Sequence, residues 1–308
     1  TNNGTINLSA SANVNLSVLE TSGNVNVTAD SNNDNIGAIL DNLTDESANI
    51  IANAVTLIAS SGIGTNVDDI DTDISSISLT NTISGDIFIQ EDDDLIITKI
   101  DSQGTSGDVV ISTENGSIET KTGTTEVTAL GGDILLQAIG TTADITLGLA
   151  LTSSKGNISL NSGRDIKQNG NITVSASGKT VDVLAGNSFV MSSDSIISAN
   201  ANIRLEVTNA ISLGLLTTSA NVSLLANSIS DNNDGLNISS NELKLNVTNT
   251  VGAVDNLIET TITIIASNGG ALYLNESDNV IIGTTEAITV NRVAQDASIS
   301  TTNTTDAS

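Results

Sequence analysis

The sequence lacks cysteine, proline, histidine and tryptophan, and only two Phe and one Tyr among its 308 residues are aromatic. Without cysteine there is no disulfide framework, and without histidine there is no imidazole base or Ser–His–Asp triad. Basic residues are also few, since 9 Lys and Arg oppose 36 Asp and Glu and the net charge is −27. Nucleic acids and anionic membrane surfaces require basic patches, so neither is an expected partner. No apolar run is long enough for a transmembrane helix.

Short runs in which apolar and polar residues alternate recur along the chain. Ile6-Asn-Leu8, Val25-Asn-Val27 and Ile145-Thr-Leu147 are typical. Alternation with period two predicts half-buried β-strands, and β-branched residues dominate these runs, as strands prefer. Few aromatics and a high net charge are also typical of disordered chains. However, 38% of the residues are hydrophobic and regularly patterned, which favours a folded all-β protein.

The spacing of these runs predicts the fold. Val222 follows Ile203 by 19 residues, and Leu243 follows Val222 by 21. A repeat near 20 residues is typical of a β-solenoid, in which each coil buries its apolar face only by stacking on its neighbours. About 15 coils at ~4.8 Å would form a rod of roughly 70 Å. A β-sandwich would need more Asn-Gly and Asp-Gly hairpin turns than the sequence contains.

The predicted fold is therefore an all-β, right-handed parallel β-helix with coils of about 20 residues, its hand following from the rule for parallel crossovers. A single continuous solenoid is predicted over residues 1–290. Residues 31–48 are a possible excursion, either a short helix suggested by the spacing of Ile36, Ile39, Leu40 and Leu43 or an irregular coil. Residues 291–308 lose the alternation and are predicted to be a linker or tail.

A longer repeat is superimposed on the coils. Residues 49–74 align without a gap on residues 237–262, which predicts duplicated multi-coil modules around 49–98 and 237–284. Phe88, Phe189 and Tyr273 share a frame in which an Asp follows five residues later and two aliphatic residues come after it. We interpret this frame as one stacked aromatic residue per module, at the same place in each coil and at least partly buried.

Residues 107–166 resemble the filamentous-haemagglutinin-like repeats of giant bacterial surface proteins, most closely in the stretch GNISLNSGRDI at 156–166. The phrases AVTLIASSGIGT at 54–65 and SGDIFIQEDDDLIIT at 84–98 look like another recurring pattern of such proteins. The likeness covers about residues 5–290. It implies a right-handed parallel β-helix, export, and a place on or beyond the cell surface. It implies no catalytic residues, because the repeats have none.

Acidic clusters are the candidates for a cation site. Ca²⁺ takes six to eight oxygen ligands, which carboxylate-rich loops can supply. None of the clusters has the spacing of an EF-hand, so we favour solvated acidic corners that prevent lateral sheet pairing, with no cofactor and Ca²⁺ as the alternative. The Ca²⁺ candidates are Asp68, Asp69, Asp71, Asp73, Glu91, Asp92, Asp93 and Asp94.

The function expected from these features is a non-catalytic structural rod of an extracellular or cell-surface protein, such as an adhesin stalk or fibre segment. The alternatives are a subunit of a self-assembling extracellular filament and an adhesin whose face binds a glycan or a host protein. An enzyme is not expected, because the basic residues are scattered singly. The expected partners are flanking coils of the same chain or further copies stacked end to end.

Overall fold

The computed structural model describes residues 3–121 and 126–303. They form an all-β parallel solenoid of about 12 turns, with about 22 residues per turn and no helix. The predicted fold class is confirmed. The turns are fewer than the sequence predicts because each is longer and the end of the chain leaves the stack. At ~4.8 Å per turn the rod is roughly 58 Å long. The described residues therefore include no helix that could span a membrane.

Most strands are short, and the longest, of 10 to 14 residues, lie between the middle of the rod and its two ends. The first are β1 (Ile6–Ser9), β2 (Val14–Leu16), β3 (Leu19–Glu20), β4 (Asn24–Thr28), β5 (Ile39–Asp41), β6 (Ile50–Ala59), β7 (Ile70–Asn81), β8 (Ile87–Glu91) and β9 (Leu95–Ser102). The central strands are β10 (Val109–Thr113), β11 (Ile118–Thr120), β12 (Val127–Ala129), β13 (Ile134–Ala138), β14 (Ile145–Leu147), β15 (Leu151–Ser153), β16 (Ile158–Ser162), β17 (Ile166–Gln168), β18 (Ile172–Val174), β19 (Val181–Ala185), β20 (Phe189–Met191), β21 (Ile196–Ala199), β22 (Ile203–Val207), β23 (Ala210–Leu213) and β24 (Leu215–Thr218). The last are β25 (Asn221–Asp231), β26 (Ile238–Val251), β27 (Ile258–Asn268), β28 (Ala271–Leu272), β29 (Leu274–Glu276), β30 (Ile281–Ile282), β31 (Thr289–Val293) and β32 (Ile299–Asn303).

Each central coil contributes one strand to each of three parallel sheets. The first sheet stacks β8, β10, β13, β16, β19 and β22, and β25 continues it. The second sheet stacks β9, β11, β14, β17, β20 and β23. The third sheet stacks β9, β12, β15, β18, β21 and β24. The three sheets enclose one narrow apolar core that runs the length of the rod.

In-register ladders of aliphatic side chains form this core. One ladder runs through the first residue of each central strand of the first sheet and continues beyond them at both ends, and every member is buried because coils stack on both of its sides. Such a ladder explains why Ile, Val and Leu recur about every 22 residues. Its members are Ile63, Ile87, Val109, Ile134, Ile158, Val181, Ile203, Val222, Leu243 and Ile265.

Gly-Asp pairs form one corner of successive coils. Asp86 Oδ1 accepts a hydrogen bond from the Asp108 N–H at 2.9 Å, and Asp108 Oδ1 accepts one from the Asp133 N–H at 2.7 Å. The glycines stack closely, since a Cβ on Gly132 would lie 2.3 Å from the Gly107 carbonyl oxygen. The recurring pair thus allows close coil stacking and satisfies backbone donors where the chain turns.

After β30 the chain leaves the stack and runs back along the outside of the first sheet. Strands β31 and β32 pair as an antiparallel hairpin. The hairpin buries Val293 against outward-facing Phe88, Val110 and Leu135. Hydrogen bonds between residues far apart in the chain fix it to the rod, for example Val293 N–H to Ser159 Oγ at 2.9 Å.

The linker predicted for 291–308 is therefore wrong for residues 291–303, and residues 304–308 lie outside the described residues. The segment loses its alternation because it packs on the outside of a sheet instead of contributing inward-facing residues to a coil. Its anchor to the rod is partly ionic. The Arg292 guanidinium contacts Asp182 Oδ2 at 2.7 Å, and the same carboxylate binds Arg204 at 2.8 Å.

The short helix predicted as one alternative for residues 31–48 is also wrong, since all of these residues are described and none is helical. Asp30, Asn33 and Asn35 have positive φ angles, which an α-helix does not accommodate. The Asp30 carboxylate accepts hydrogen bonds from two following backbone N–H groups, so local turns replace the helical hydrogen bonds. The segment is an irregular part of its coil that contains the short strand β5.

The aligned segments 49–74 and 237–262 make the same hydrogen bonds. Asn49 and Asn237 are both fully buried, and each donates to an aspartate that precedes it and to two backbone carbonyls. Each also accepts a hydrogen bond from a backbone N–H one coil further on. The partners are Asp41 and the Asp71 N–H for Asn49, and Asp231 and the Glu259 N–H for Asn237.

The three aromatic residues do not share one position. Phe88 and Tyr273 are equivalent, because the backbone carbonyl of each lies directly over a glycine. A Cβ on Gly64 would lie 2.5 Å from the Phe88 carbonyl oxygen, and a Cβ on Gly252 would lie 2.4 Å from the Tyr273 carbonyl oxygen. Phe189 instead points into the core from the second sheet, in register with residues of β17 and β23. The common frame predicted for all three is therefore wrong for Phe189. The same spacing of Asp and aliphatic residues follows all three aromatic residues, but it occurs in different sheets of the solenoid and does not specify one position in the coil.

Candidate functional site

Two groups of carboxylates meet on the side of the N-terminal coils. Within each group, one carboxylate oxygen of every member lies within 4.8 Å of the others. Both groups border a groove of about 250 Å³. The Asp71 group consists of Glu46, Asp69 and Asp71, and the Glu91 group consists of Asp73, Glu91 and Asp93.

Five of the eight predicted Ca²⁺ candidates belong to these groups, namely Asp69, Asp71, Asp73, Glu91 and Asp93. The other three, Asp68, Asp92 and Asp94, lie outside them. Glu46 was not predicted. Its signal was the acidic run at Asp45 and Glu46 within the 31–48 segment, but sequence alone does not show that this segment folds against β7.

Strand β7 and the turn before it position the Asp71 group. Asp71 is on the outward face of β7, between inward-facing Ile70 and Thr72. Asp69 ends the turn that starts at Gly64, whose φ of 66° needs glycine. Glu46 comes from the irregular segment that crosses over this strand. Residues from two successive coils therefore meet at one point.

The carboxylates of the Asp71 group have raised pKa values. Burial, and then the neighbouring charges of Glu46 and Asp68, raise the pKa of Asp69 to about 6. Burial, and then the charges of Asp69 and Glu46, raise the pKa of Asp71 to about 7. No described Lys or Arg forms an ion pair with either residue, so the described part of the chain supplies no counter-charge to this group.

Glu91 has a structural role within its own group. It is fully buried, and its two carboxylate oxygens accept hydrogen bonds from Thr72 Oγ1 at 2.6 Å and from the Ile74 N–H at 3.0 Å. In the aligned segment, Glu276 makes the same two contacts, with Thr260 and Ile262. Because both copies use this carboxylate to bind the coil beneath it, we interpret Glu91 as a support for the coil stack.

We expect the chelator-treated protein to be more stable at pH 5 than at pH 8. Burial raises the folded-state pKa of Glu91 from 4.5 to about 7 and that of Asp108 from 3.8 to about 6. The folded state thus binds protons more tightly than the unfolded chain. The resulting stability is fully present below about pH 4 and is lost as pH rises through about 6 to 7. In calorimetry at constant ionic strength, the melting temperature should fall by several degrees from pH 5 to pH 8.

Glu91→Gln is the matched variant for this experiment. The amide keeps an acceptor for the Ile74 N–H, and the Thr72 hydroxyl can donate to the Gln90 carbonyl, which lies 3.1 Å away. The variant should be more stable than the parent at pH 8 and should show a flatter pH profile. A parent melting temperature that rises from pH 5 to pH 8 would contradict the interpretation.

The two ends of the rod are a second candidate site, because the core ladders end there in exposed side chains. Ile282 pairs with buried Ile265 and continues the first-sheet ladder, yet it is 87% exposed. An apolar cavity of about 560 Å³ opens at this end and is also lined by Leu272, Leu274 and Val280. At the other end, Leu8 is 36% exposed although it continues a fully buried ladder.

No protein-family model, curated protein or solved structure matches the chain. The fold itself defines the class, and the protein is a parallel β-solenoid with a repeat structure.

Proposed function

We propose that this protein is a non-catalytic structural rod of an extracellular or cell-surface protein, of the filamentous-haemagglutinin-like kind, and that copies of it associate end to end. The observation that carries the proposal is the pair of apolar end faces on an otherwise acidic rod. Export and surface location rest on the sequence resemblance of residues 107–166. The uninterrupted core supports a mechanical role, since stacked coils join one end of the molecule to the other.

The path of the chain favours a second copy over the next coil of the same chain at the C-terminal end face. Beyond Gly283 the chain does not begin another coil. It turns back along the first sheet, and the Thr289 carbonyl accepts a hydrogen bond from Asn202 Nδ2 at 2.7 Å. Ile282 and the apolar cavity beside it therefore remain uncovered by the described residues that follow. An exposed apolar face of this kind marks an interaction surface.

The N-terminal coil of another copy is the occupant that fits this face best. Among the described residues strand β1 pairs with β4 along one edge, and its other edge can pair with a strand of another molecule. Residues 3–19 contain no charged side chain. The N-terminal coil can thus approach the acidic rod without like-charge repulsion, while the −27 charge opposes association along the sides. A head-to-tail contact that does not close on itself gives a filament.

We expect the protein to form rods whose lengths are multiples of roughly 58 Å, growing with protein concentration. Ile282→Asp should leave monomeric rods, because it puts a charge in the apolar end face. Leu8→Asp should do the same from the other end. Sedimentation velocity and negative-stain microscopy at ~0.15 M salt measure both effects.

Val190→Asp is the matched control, since Val190 is an exposed aliphatic residue on the side of the rod. It should assemble like the parent protein. A mixture of the Ile282→Asp and Leu8→Asp variants should stop at dimers, because one intact face of each kind remains. Monodisperse single rods of the parent at all concentrations would rule out self-assembly.

A further inference from the structure

The Asp71 group differs from the other acidic corners because its carboxylates lack hydrogen-bond donors. Asp71 is only 6% exposed, and no described donor lies within hydrogen-bonding distance of its carboxylate. Asp69 Oδ1 is completely shielded from solvent and also has no partner. Burying an ionised carboxylate without a partner is costly. Two such groups facing one another indicate a missing positive charge.

Other acidic side chains of these coils have the donors that Asp71 lacks. Asp41 Oδ1 accepts hydrogen bonds from the Leu43 N–H and from Asn49 Nδ2. Asp94 Oδ1 accepts one from the Ser117 N–H at 2.7 Å. Among the buried carboxylates of the described residues, Asp30, Glu91 and Asp182 each accept hydrogen bonds, and Asp71 does not.

The aligned module shows that the fold itself does not require this cluster. Asp68, Asp69 and Asp71 correspond to Asn256, Leu257 and Glu259 in the gap-free alignment of 49–74 with 237–262. Leu257 is partly buried, like Asp69, so the same turn accommodates an uncharged side chain. The turn therefore folds without a carboxylate at the position of Asp69, whereas the position of Asp71 keeps one.

We propose that Glu46, Asp69 and Asp71 bind one Ca²⁺ ion. Their oxygens lie within 4.8 Å of one another, which matches opposite ligands of an ion bound at about 2.4 Å. Three carboxylates supply up to six oxygens, and water completes the coordination. Ca²⁺ is favoured over Mg²⁺ because exposed Glu46 comes from an irregular segment, and Mg²⁺ requires stricter octahedral geometry. Zn²⁺ is disfavoured, since the chain has no His or Cys.

The ion would join the irregular segment to the coil that follows it. Glu46 belongs to the irregular segment between β5 and β6, whereas Asp69 and Asp71 belong to the next coil. Binding would hold this segment against β7 and would offset the burial and the like-charge repulsion that raise the pKa of both aspartates. This inference is independent of the proposed end-to-end assembly.

Isothermal titration of the chelator-treated full chain with CaCl₂ at ~0.15 M KCl tests the proposal. We expect one saturable site per chain and a higher melting temperature, with weaker binding of Mg²⁺. Asp71→Asn and Asp69→Asn should each lower the Ca²⁺ affinity by about tenfold or more, because ligand charge sets affinity. Asp69→Leu introduces the residue found at the aligned position and should abolish binding while leaving the circular dichroism spectrum unchanged.

Glu91→Gln serves as the control for the neighbouring group and should bind Ca²⁺ like the parent. If Asp71→Asn and Asp69→Leu fold normally and keep the parent affinity, the proposal is wrong. It is also wrong if only Glu91→Gln weakens binding, because the ion would then belong to the Glu91 group. If the titration heat does not saturate and depends only on ionic strength, the proposal is also wrong, and these carboxylates are surface charge without a bound ion.

Discussion

Asp182→Ala is expected to lower the free energy of unfolding by about 3–5 kcal/mol, the cost of removing one partner from a buried ion pair. The Asp182 side chain is 1% exposed and that of Arg204 is 5% exposed, so little water can replace the lost carboxylate. Arg292 in the hairpin would lose the same partner. Arg204 would keep only Glu206, whose side chain is 39% exposed. Urea denaturation followed by circular dichroism measures the loss.

Asp144→Ala is the matched control, because Asp144 also binds an arginine, Arg164, but near solvent. This variant should lower the free energy of unfolding by about 1 kcal/mol or less, the usual contribution of an exposed ion pair. Replacing all three members of the buried network by apolar residues, as in Asp182→Leu with Arg204→Met and Arg292→Met, should restore much of the stability. Equal losses for Asp182→Ala and Asp144→Ala would contradict the assigned burial.

Phe88→Ala should also destabilise the protein by about 3–5 kcal/mol, because the ring is buried between the first sheet and the hairpin. The loss should depend on the hairpin. A double-mutant cycle of Leu135→Ala with Val293→Ala should show a coupling of at least ~0.5 kcal/mol, since Leu135 belongs to the same cluster and pairs with Ser159, which binds the Val293 N–H. Denaturation of the parent, the two single variants and the double variant measures this coupling.

Two aromatic residues provide controls for this cycle. Phe189→Ala removes a core ring of the second sheet and should be additive with Val293→Ala, because Phe189 is not part of the hairpin cluster. Tyr273→Ala removes the residue equivalent to Phe88 at a position that the hairpin does not cover. It should lower the free energy of unfolding by less than Phe88→Ala does. Additivity for Leu135 with Val293 would mean that the hairpin does not pack against the rod in solution.

The repeating part of the fold could be predicted from the sequence because each coil uses the same physical devices. Alternation placed the aliphatic ladders, and pairs such as Gly107-Asp108 marked the corners. These signals are local and recur about every 22 residues. The number of turns was overestimated because the corner loops lengthen many coils beyond the shortest repeat.

The hairpin was missed although the sequence carried a signal for it. Ile87-Phe-Ile89, Val109-Val-Ile111 and Ile134-Leu-Leu136 are apolar on both faces, whereas later strands of the same sheet have Ser159, Asp182 and Arg204 at the middle position. An apolar residue on the outer face requires a cover. What covers it lies more than a hundred residues away in sequence, and no local pattern specifies that partner.

The candidate cation site was only half predictable for a similar reason. Asp69 and Asp71 belong to an obvious acidic run, but Glu46 reaches them only because the irregular segment folds over β7. The helical spacing of Ile36, Ile39 and Leu40 gave the wrong local structure there. Asp and Asn side chains in the same segment bind backbone N–H groups and form turns, which the apolar spacing alone does not reveal.

The hairpin also determines how the molecule would bear tension. Strand β31 crosses the coils of β22, β19 and β16, and β32 brings the chain back to Asn303, beside Thr289. A pull applied at Asn303 would therefore enter the rod on its side, some coils before its end face. The hydrogen bonds that anchor β31 lie on successive coils, so they would be loaded together in shear and not opened one after another. The last coils would carry little of that force, and their end face would stay free to hold another molecule while the rod is stretched.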